Sequence, residues 1–381
     1  MSSFKSNEIK IEQELEKAKK ECKELFNDSP EEYYENSYDK WNRMVSKGLD
    51  YFRKNHLKTY KRRLSRGVPQ EFRWRIWNSY LDVNLSNNEN RVKDETGNNS
   101  SNNSNDDITE TNQHLQMIVE KSSFYTEKYT VESPKDENNI EFQRQNRIYI
   151  NYYDYAAKYL NKYSSLISFD VPRTFPELDV FREKDSQECL YRVLNAIANH
   201  IPEVGYCQGM NFIAALLLMV SDFDQERSFY TFIIILEAYG LSGFYKDNFP
   251  LLSKYIQAFN TLFQTNIPKL WKHFQDEGIF DPVYLHPWFL TMFVSTLPLK
   301  TVVILWDYLL ANGLHSLITI AIALLKIVES TLLDQSMESI IQFFKSLRIS
   351  VGLSDITCAR MLLSKAKCID ISDEIMSSIK I

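Results

Sequence analysis

From residue 226 to residue 347 the chain is a succession of helix-length apolar segments. They cover 226–239, 250–265, 268–277, 287–297, 299–311, 315–333 and 336–347, and Gly, Pro or Asn-Gly steps separate them. Apolar residues recurring at three- and four-residue steps bury one face of a helix, whereas a half-buried strand needs strict alternation, and no alternating run stands out here. With only 10 Gly and 11 Pro in 381 residues, the chain lacks the punctuation of a turn-rich all-β protein. Its 44% hydrophobic and 13% aromatic residues can fill a large core. The ordered parts are therefore expected to be all-α.

The same periodicity runs through residues 185–201. Asp185 with Glu188 three residues on forms a capping-box-like start. Leu190, Val193, Leu194, Ile197, Ala198 and Ile201 trace one face, and Pro202 closes the helix. Two irregular stretches flank it. Upstream, Ile167-Ser168-Phe169-Asp170-Val171-Pro172-Arg173-Thr174-Phe175-Pro176-Glu177 sets an acid and an arginine three residues apart. Pro172 fixes its own φ and pushes Val171 toward an extended backbone, so this stretch reads as a rigid exposed loop that offers a cation. Downstream, Gly205-Tyr206-Cys207-Gln208-Gly209-Met210-Asn211 turns tightly at its glycines, with Asn211 placed as N-cap of the apolar helix 212–220. Alone, the acid–arginine pair would read as a surface ion pair; the second stretch gives it another meaning.

Together these stretches resemble the signature of the TBC domain, the helical module that activates GTP hydrolysis by Rab-type small GTPases. Ile167, Asp170 and Arg173 match its I-x-x-D-x-x-R motif, and Tyr206 and Gln208 its Y-x-Q motif, with R-T-F-P and Q-G-M-N extensions. Arg66-Gly67-Val68-Pro69 with Arg73 and Trp77 resembles the family's opening segment. Tyr284-Leu285-His286-Pro287-Trp288-Phe289, Leu297-Pro298-Leu299 and Leu305-Trp306-Asp307 resemble its second half. The family often carries an arginine two residues before that Trp306, where this chain has Ile304. The resemblance spans roughly residues 66 to 350 and implies two helical subdomains.

The remaining segments read plainly. Residues 1–60 form a helical extension, in which Ile9, Leu15, Ala18, Cys22 and Leu25 stripe a charged helix over 8–26. From Arg53 to Arg66 seven Lys or Arg residues interleave with Leu57, Tyr60 and Leu64. This is a solvated face over a thin apolar stripe, with peripheral contact to acidic membrane as the alternative. Residues 84–113 are dominated by Asn, Ser, Asp and Glu and cannot offset the entropy of ordering, so a disordered insertion is expected over about 84–138. The Tyr-rich stretch 140–166 reads as one or two helices, and 351–381 as a helical tail.

Several chemistries are excluded on sequence grounds. A net charge of -6 disfavours nucleic acid as a partner. Five scattered cysteines without C-x-x-C fit reduced thiols in a cytoplasmic protein. No apolar run is long enough to span a bilayer. Metal-ligand spacings, phosphate-binding loops and nucleophile elbows are missing, and Cys207 reads as a packed thiol. An activator needs none of these, since GTP and Mg²⁺ come with the partner GTPase. The resemblance implies no cofactor, a GTP-bound Rab as partner, a role in vesicle trafficking, and a cytoplasmic site with endomembranes as the further location. It also implies that Arg173 is an arginine finger and Gln208 a glutamine finger, with Asp170, Tyr206 and Asn211 orienting the loops or touching the partner. The alternative is a helical scaffold that binds a Rab without activating it.

Overall fold

The computed structural model describes residues 9, 12–13, 16–17, 30–79, 153–154, 156–350 and 356–380. The expected insertion over 84–138 lies outside them, as do most of the charged 8–26 segment and the start of the Tyr-rich stretch. Among the described residues every regular element is helical. The chain divides into two compact units, Trp74–Lys246 and Met1–Arg73 with Asp247–Ile381.

In the unit Trp74–Lys246, three helices pack on one another: Lys184–His200, Met210–Val220 and Gln225–Glu237. The middle one, Met-Asn-Phe-Ile-Ala-Ala-Leu-Leu-Leu-Met-Val, is apolar nearly all round. That composition suits a helix whose neighbours leave it little solvent, and Ile213, Ala214, Leu217 and Leu218 are buried. Asp224 caps the third helix by accepting the Arg227 N–H at 3.0 Å. The helix Lys184–His200 begins one residue before Asp185. Glu183 is its N-cap without a side-chain bond, so Asp185 lies in the first turn and forms no capping box. A short 3-10 turn, Asp179–Arg182, leads directly into it, and this geometry fixes the start.

The other unit centres on the helix Ser316–Leu332, which packs against Pro250–Asn266 and Ile356–Lys367. Leu299–Asn312 packs against Ile356–Lys367 and against Leu57–Leu64. An aromatic cluster fills one end. Tyr284 stacks on Phe344 with centroids 5.2 Å apart, and Trp288 meets the same ring edge-on at 5.2 Å. Arg73 and Asp307 form a buried pair: the Arg73 Nε donates to Asp307 Oδ1 at 3.1 Å, and the Val68 N–H donates to Asp307 Oδ2 at 2.9 Å. The Arg66-Gly67-Val68-Pro69 turn is thereby fastened to the Trp306-Asp307 segment. Ile304 is fully buried and apolar.

The expected helix 287–297 is shorter, at Leu285–Leu290. Met292 and Phe293 follow with φ of 48° and 66°, and both are buried. Left-handed backbone at two non-glycine residues is unfavourable by itself. Here it places both side chains inside and leaves the Met292 carbonyl to accept the Trp306 Nε1–H at 3.1 Å. Tertiary burial overrides local periodicity.

Candidate functional site

The stretch Ile167–Glu177 is more ordered than a loop. Ser164–Asp170 is a short helix, continued by the 3-10 turn Val171–Arg173. Val171 has φ −55° and ψ −51°, helical where an extended backbone before Pro172 was expected. Burial of Ile167 and Val171 on one side holds the chain helical. Pro172 stands in the first turn of the 3-10 segment, where a missing N–H costs nothing. The Asp170 carbonyl accepts instead from the Thr174 hydroxyl at 2.9 Å. After Thr174 the chain turns at Phe175, buried and left-handed with φ 50°.

The second stretch is shaped by close approach. At Gly205, φ is 62°, and an added Cβ would lie 2.0 Å from the Tyr163 ring, so no side chain fits. Gly209, at φ 115°, starts the helix Met210–Val220. Asn211 is therefore inside the first helical turn and is not the N-cap. Its Oδ1 accepts the Gly209 N–H at 3.0 Å, reaching backward to satisfy a donor the turn leaves open.

Two buried hydrogen bonds join the stretches. The Tyr206 hydroxyl donates to Asp170 Oδ2 at 2.8 Å, and the Asn211 amide donates to Thr174 Oγ1 at 2.7 Å. Asp170, Thr174, Tyr206 and Asn211 are each no more than 4% exposed. Burial, together with the Asp170 carboxylate, pushes the Tyr206 phenol far up, so it stays protonated and remains a donor. Asp170 Oδ1 pairs with an Arg173 Nη2 group.

Against this buried frame two groups stand out. The Arg173 side chain is 52% exposed, and its guanidinium carbon lies 4.2 Å from the centroid of the exposed Phe169 ring. Gln208 is exposed, and its side chain has no hydrogen-bond partner among the described residues. A fixed cation and a free amide, on segments tied to each other through buried bonds, can address a ligand that comes from outside. Cys207 between them is half-buried, and burial raises its thiol above the usual range, which disfavours a thiolate nucleophile.

The sequence reading located Asp170, Arg173, Tyr206, Gln208 and Asn211, and the fold brings the two motifs together. It missed Thr174 as the acceptor for Asn211, and Phe169 beside the guanidinium. The bond between Thr174 and Asn211 spans 37 residues and leaves no local periodic signal. Phe169 stands four residues before Arg173, a spacing that places two side chains on one helical face and could have drawn notice.

Comparison with known proteins gives a consistent picture. The Rab-GTPase-TBC domain family matches residues 70–333. The chain is 34% identical over 195 residues to the human ecotropic viral integration site 5 protein homolog, covering 51% of this chain and 24% of that protein. It is 34% identical over 195 residues to the Rab GTPase-activating protein eat-17 of Caenorhabditis elegans, covering 51% of this chain and 22% of that one. The match thus spans about a quarter of the length of these curated relatives. Among solved structures, the Chlamydomonas flagellar RabGAP TBC domain aligns with a TM-score of 0.63 at 20% identity, over 92% of this chain and 94% of that one. The Ypt/Rab-GAP domain of Gyp1p aligns with a TM-score of 0.58 at 17% identity, over 86% and 97%.

Proposed function

The chain belongs to the Rab-GTPase-TBC domain family, and from that premise we propose that it stimulates GTP hydrolysis by a Rab-type small GTPase in its GTP-bound form. The observation that carries this reading is the contrast within the site. Asp170, Thr174, Tyr206 and Asn211 are buried and mutually bonded, while Arg173 and Gln208 face outward on the segments those bonds hold.

The chemistry follows from what each group can supply. During phosphoryl transfer, charge spreads over the γ-phosphate oxygens, and a guanidinium placed there stabilises it by about 10³ to 10⁵ in rate. Arg173 presents a planar fork of N–H donors. The buried Asp170 holds one edge of that fork and reduces the ordering left to be done when the GTPase binds. Gln208 carries an amide that both donates and accepts, as orienting an attacking water requires: its carbonyl oxygen accepts a hydrogen bond from the water while its N–H faces the phosphate. GTP and Mg²⁺ arrive with the partner, so the site needs no cofactor of its own.

By the same reading the protein regulates vesicle trafficking from the cytoplasmic side. Peripheral contact with acidic endomembrane would be electrostatic, through Lys58 and Arg62. Tyr60 and Leu64 of the apolar stripe are buried, and Leu57 is its one outward member. Among the described residues no helix is long and apolar enough to cross a membrane.

A screen of single-turnover GTP hydrolysis across a panel of Rab proteins tests the reading. At least one Rab should be stimulated by two or more orders of magnitude. Binding of GTP-loaded Rabs without stimulation of any would replace the activator by a scaffold.

A further inference from the structure

Phe169 immediately precedes Asp170 at the end of the helix Ser164–Asp170, and its ring is 64% exposed. A single exposed aromatic side chain needs no explanation by itself, and what it touches decides whether it has a role. Here the contact within the chain is visible. The guanidinium carbon of Arg173 stands over the ring face, 4.2 Å from its centroid, while a guanidinium nitrogen pairs with Asp170. The arginine is held by two different means: a carboxylate at one edge and an aromatic ring face beside its central carbon.

These means differ in what they consume. A carboxylate occupies N–H donors, which are the groups a phosphate would need. A ring face against the guanidinium carbon restrains the group by cation–π attraction and takes up none of its N–H donors. Phe169 therefore supplies orientation without competing for donors. It also narrows the rotamers open to a long side chain that is half in solvent, so less ordering remains when a partner binds.

We propose that Phe169 is a positioning residue for Arg173, its ring holding the guanidinium in the orientation presented to the GTPase. The inference rests on the reading that Arg173 acts on the partner's phosphate. Its two alternatives make different predictions. If Phe169 instead touches the GTPase directly, its loss weakens binding and raises KM. If it is an ornament of the surface, its loss changes nothing.

The experiment uses the full chain and a Rab that the wild type stimulates. Phe169→Ala and Phe169→Leu should each lower kcat about three- to thirtyfold with KM little changed, the range given by an exposed to a desolvated cation–π contact. Phe169→Tyr should restore most of kcat, because the π-face is what acts. Melting curves should coincide with wild type, since the side chain is exposed. A second measurement needs no GTPase. In protein carrying ¹⁵N,¹³C-arginine, the Arg173 side-chain signals, assigned by Arg173→Lys, should show a ring-current shift that Phe169→Ala and Phe169→Leu remove and Phe169→Tyr keeps. Full kcat in the alanine variant, a change confined to KM, or full activity with leucine would each overturn the proposal, as would arginine signals indifferent to the ring. A wild-type chain that stimulates no Rab would sink the functional reading instead, leaving the arginine signals as the test of the stacking.

Discussion

Tyr206 reaches across 36 residues of sequence to donate to Asp170 at 2.8 Å, and Asp170 in turn pairs with Arg173. The phenol is thus a strut between the segment that carries the arginine and the segment that carries Gln208. Tyr206→Phe keeps the ring packing but leaves a buried carboxylate oxygen without its donor. The expected cost is about 1–3 kcal/mol of stability. Stimulated hydrolysis should fall severalfold, because Asp170 no longer has a fixed orientation. Urea unfolding read beside single-turnover kinetics checks both effects, and a variant unchanged in each would remove the strut.

Arg173→Ala should abolish most stimulation of GTP hydrolysis. The structure adds a stability effect that exposure of the arginine alone would not suggest. Asp170 is 2% exposed, and the arginine is its charge partner. Because Arg173 is itself half in water, the loss should be about 1–2 kcal/mol, below the cost of opening a fully buried pair. Arg173→Lys keeps the charge near Asp170 and should melt close to wild type, yet remain a poor activator without the planar fork. Thermal melts paired with hydrolysis rates separate the two consequences.

In the unit that contains it, the Arg73–Asp307 pair sets a larger effect. Asp307 is fully buried and Arg73 nearly so. Asp307→Ala strands an arginine charge in the interior and should cost about 3–5 kcal/mol. Replacing both by apolar residues, Arg73→Met with Asp307→Leu, should be milder than the single change. A single variant as stable as wild type in urea would mean that the pair is compensated from elsewhere.

Glu237 gives a pH signature. Burial, with Glu203 nearby, raises its carboxyl from 4.5 to about 7. His200 Nε2 lies 3.9 Å away, beyond hydrogen-bond reach, so burial prevails. In the folded state the acid holds a proton that the unfolded chain has already released above pH 4.5. This contribution is fully present below that pH and is lost as pH rises through about 7. The loss amounts to about 3 kcal/mol. Glu237→Gln should flatten the stability profile between these limits, and an unchanged slope in that variant would clear Glu237 of the effect.

The distance in sequence over which a feature is specified decides how legible it was. The helices from 185 to 201 and from 250 to 265 announce themselves, because their burying faces recur every three or four residues within one segment. Asp170, Arg173, Tyr206 and Gln208 were found through short motifs. Long-range bonds were not, since Tyr206 to Asp170, Asn211 to Thr174 and, in the other unit, Arg73 to Asp307 connect residues 36, 37 and 234 positions apart. Local rules also lost where burial opposed them. Val171 is helical despite Pro172, and Met292 and Phe293 are left-handed in the middle of an apolar run, because in each case the side chain goes inside.

Gln208 offers the sharpest prediction, since it distinguishes an activator that brings both groups from one that steadies the GTPase's own machinery. In Ras-type activation a glutamine of the GTPase orients the attacking water, and replacing it by leucine blocks stimulated hydrolysis. Gln208 is exposed, and its side chain makes no hydrogen bond among the described residues. It is therefore free to supply that amide in trans. If it does, the chain should still stimulate a Rab carrying the leucine substitution. Gln208→Ala should then lose activity on both Rab forms, with its melting curve unchanged because no internal bond is broken. Were Gln208 merely a turn residue, the alanine variant would melt earlier and keep whatever stimulation its folded fraction allows. Single-turnover rates for both proteins against both Rab forms decide the matter. Stimulation that vanishes with the leucine Rab but survives Gln208→Ala would assign the water to the GTPase's own glutamine.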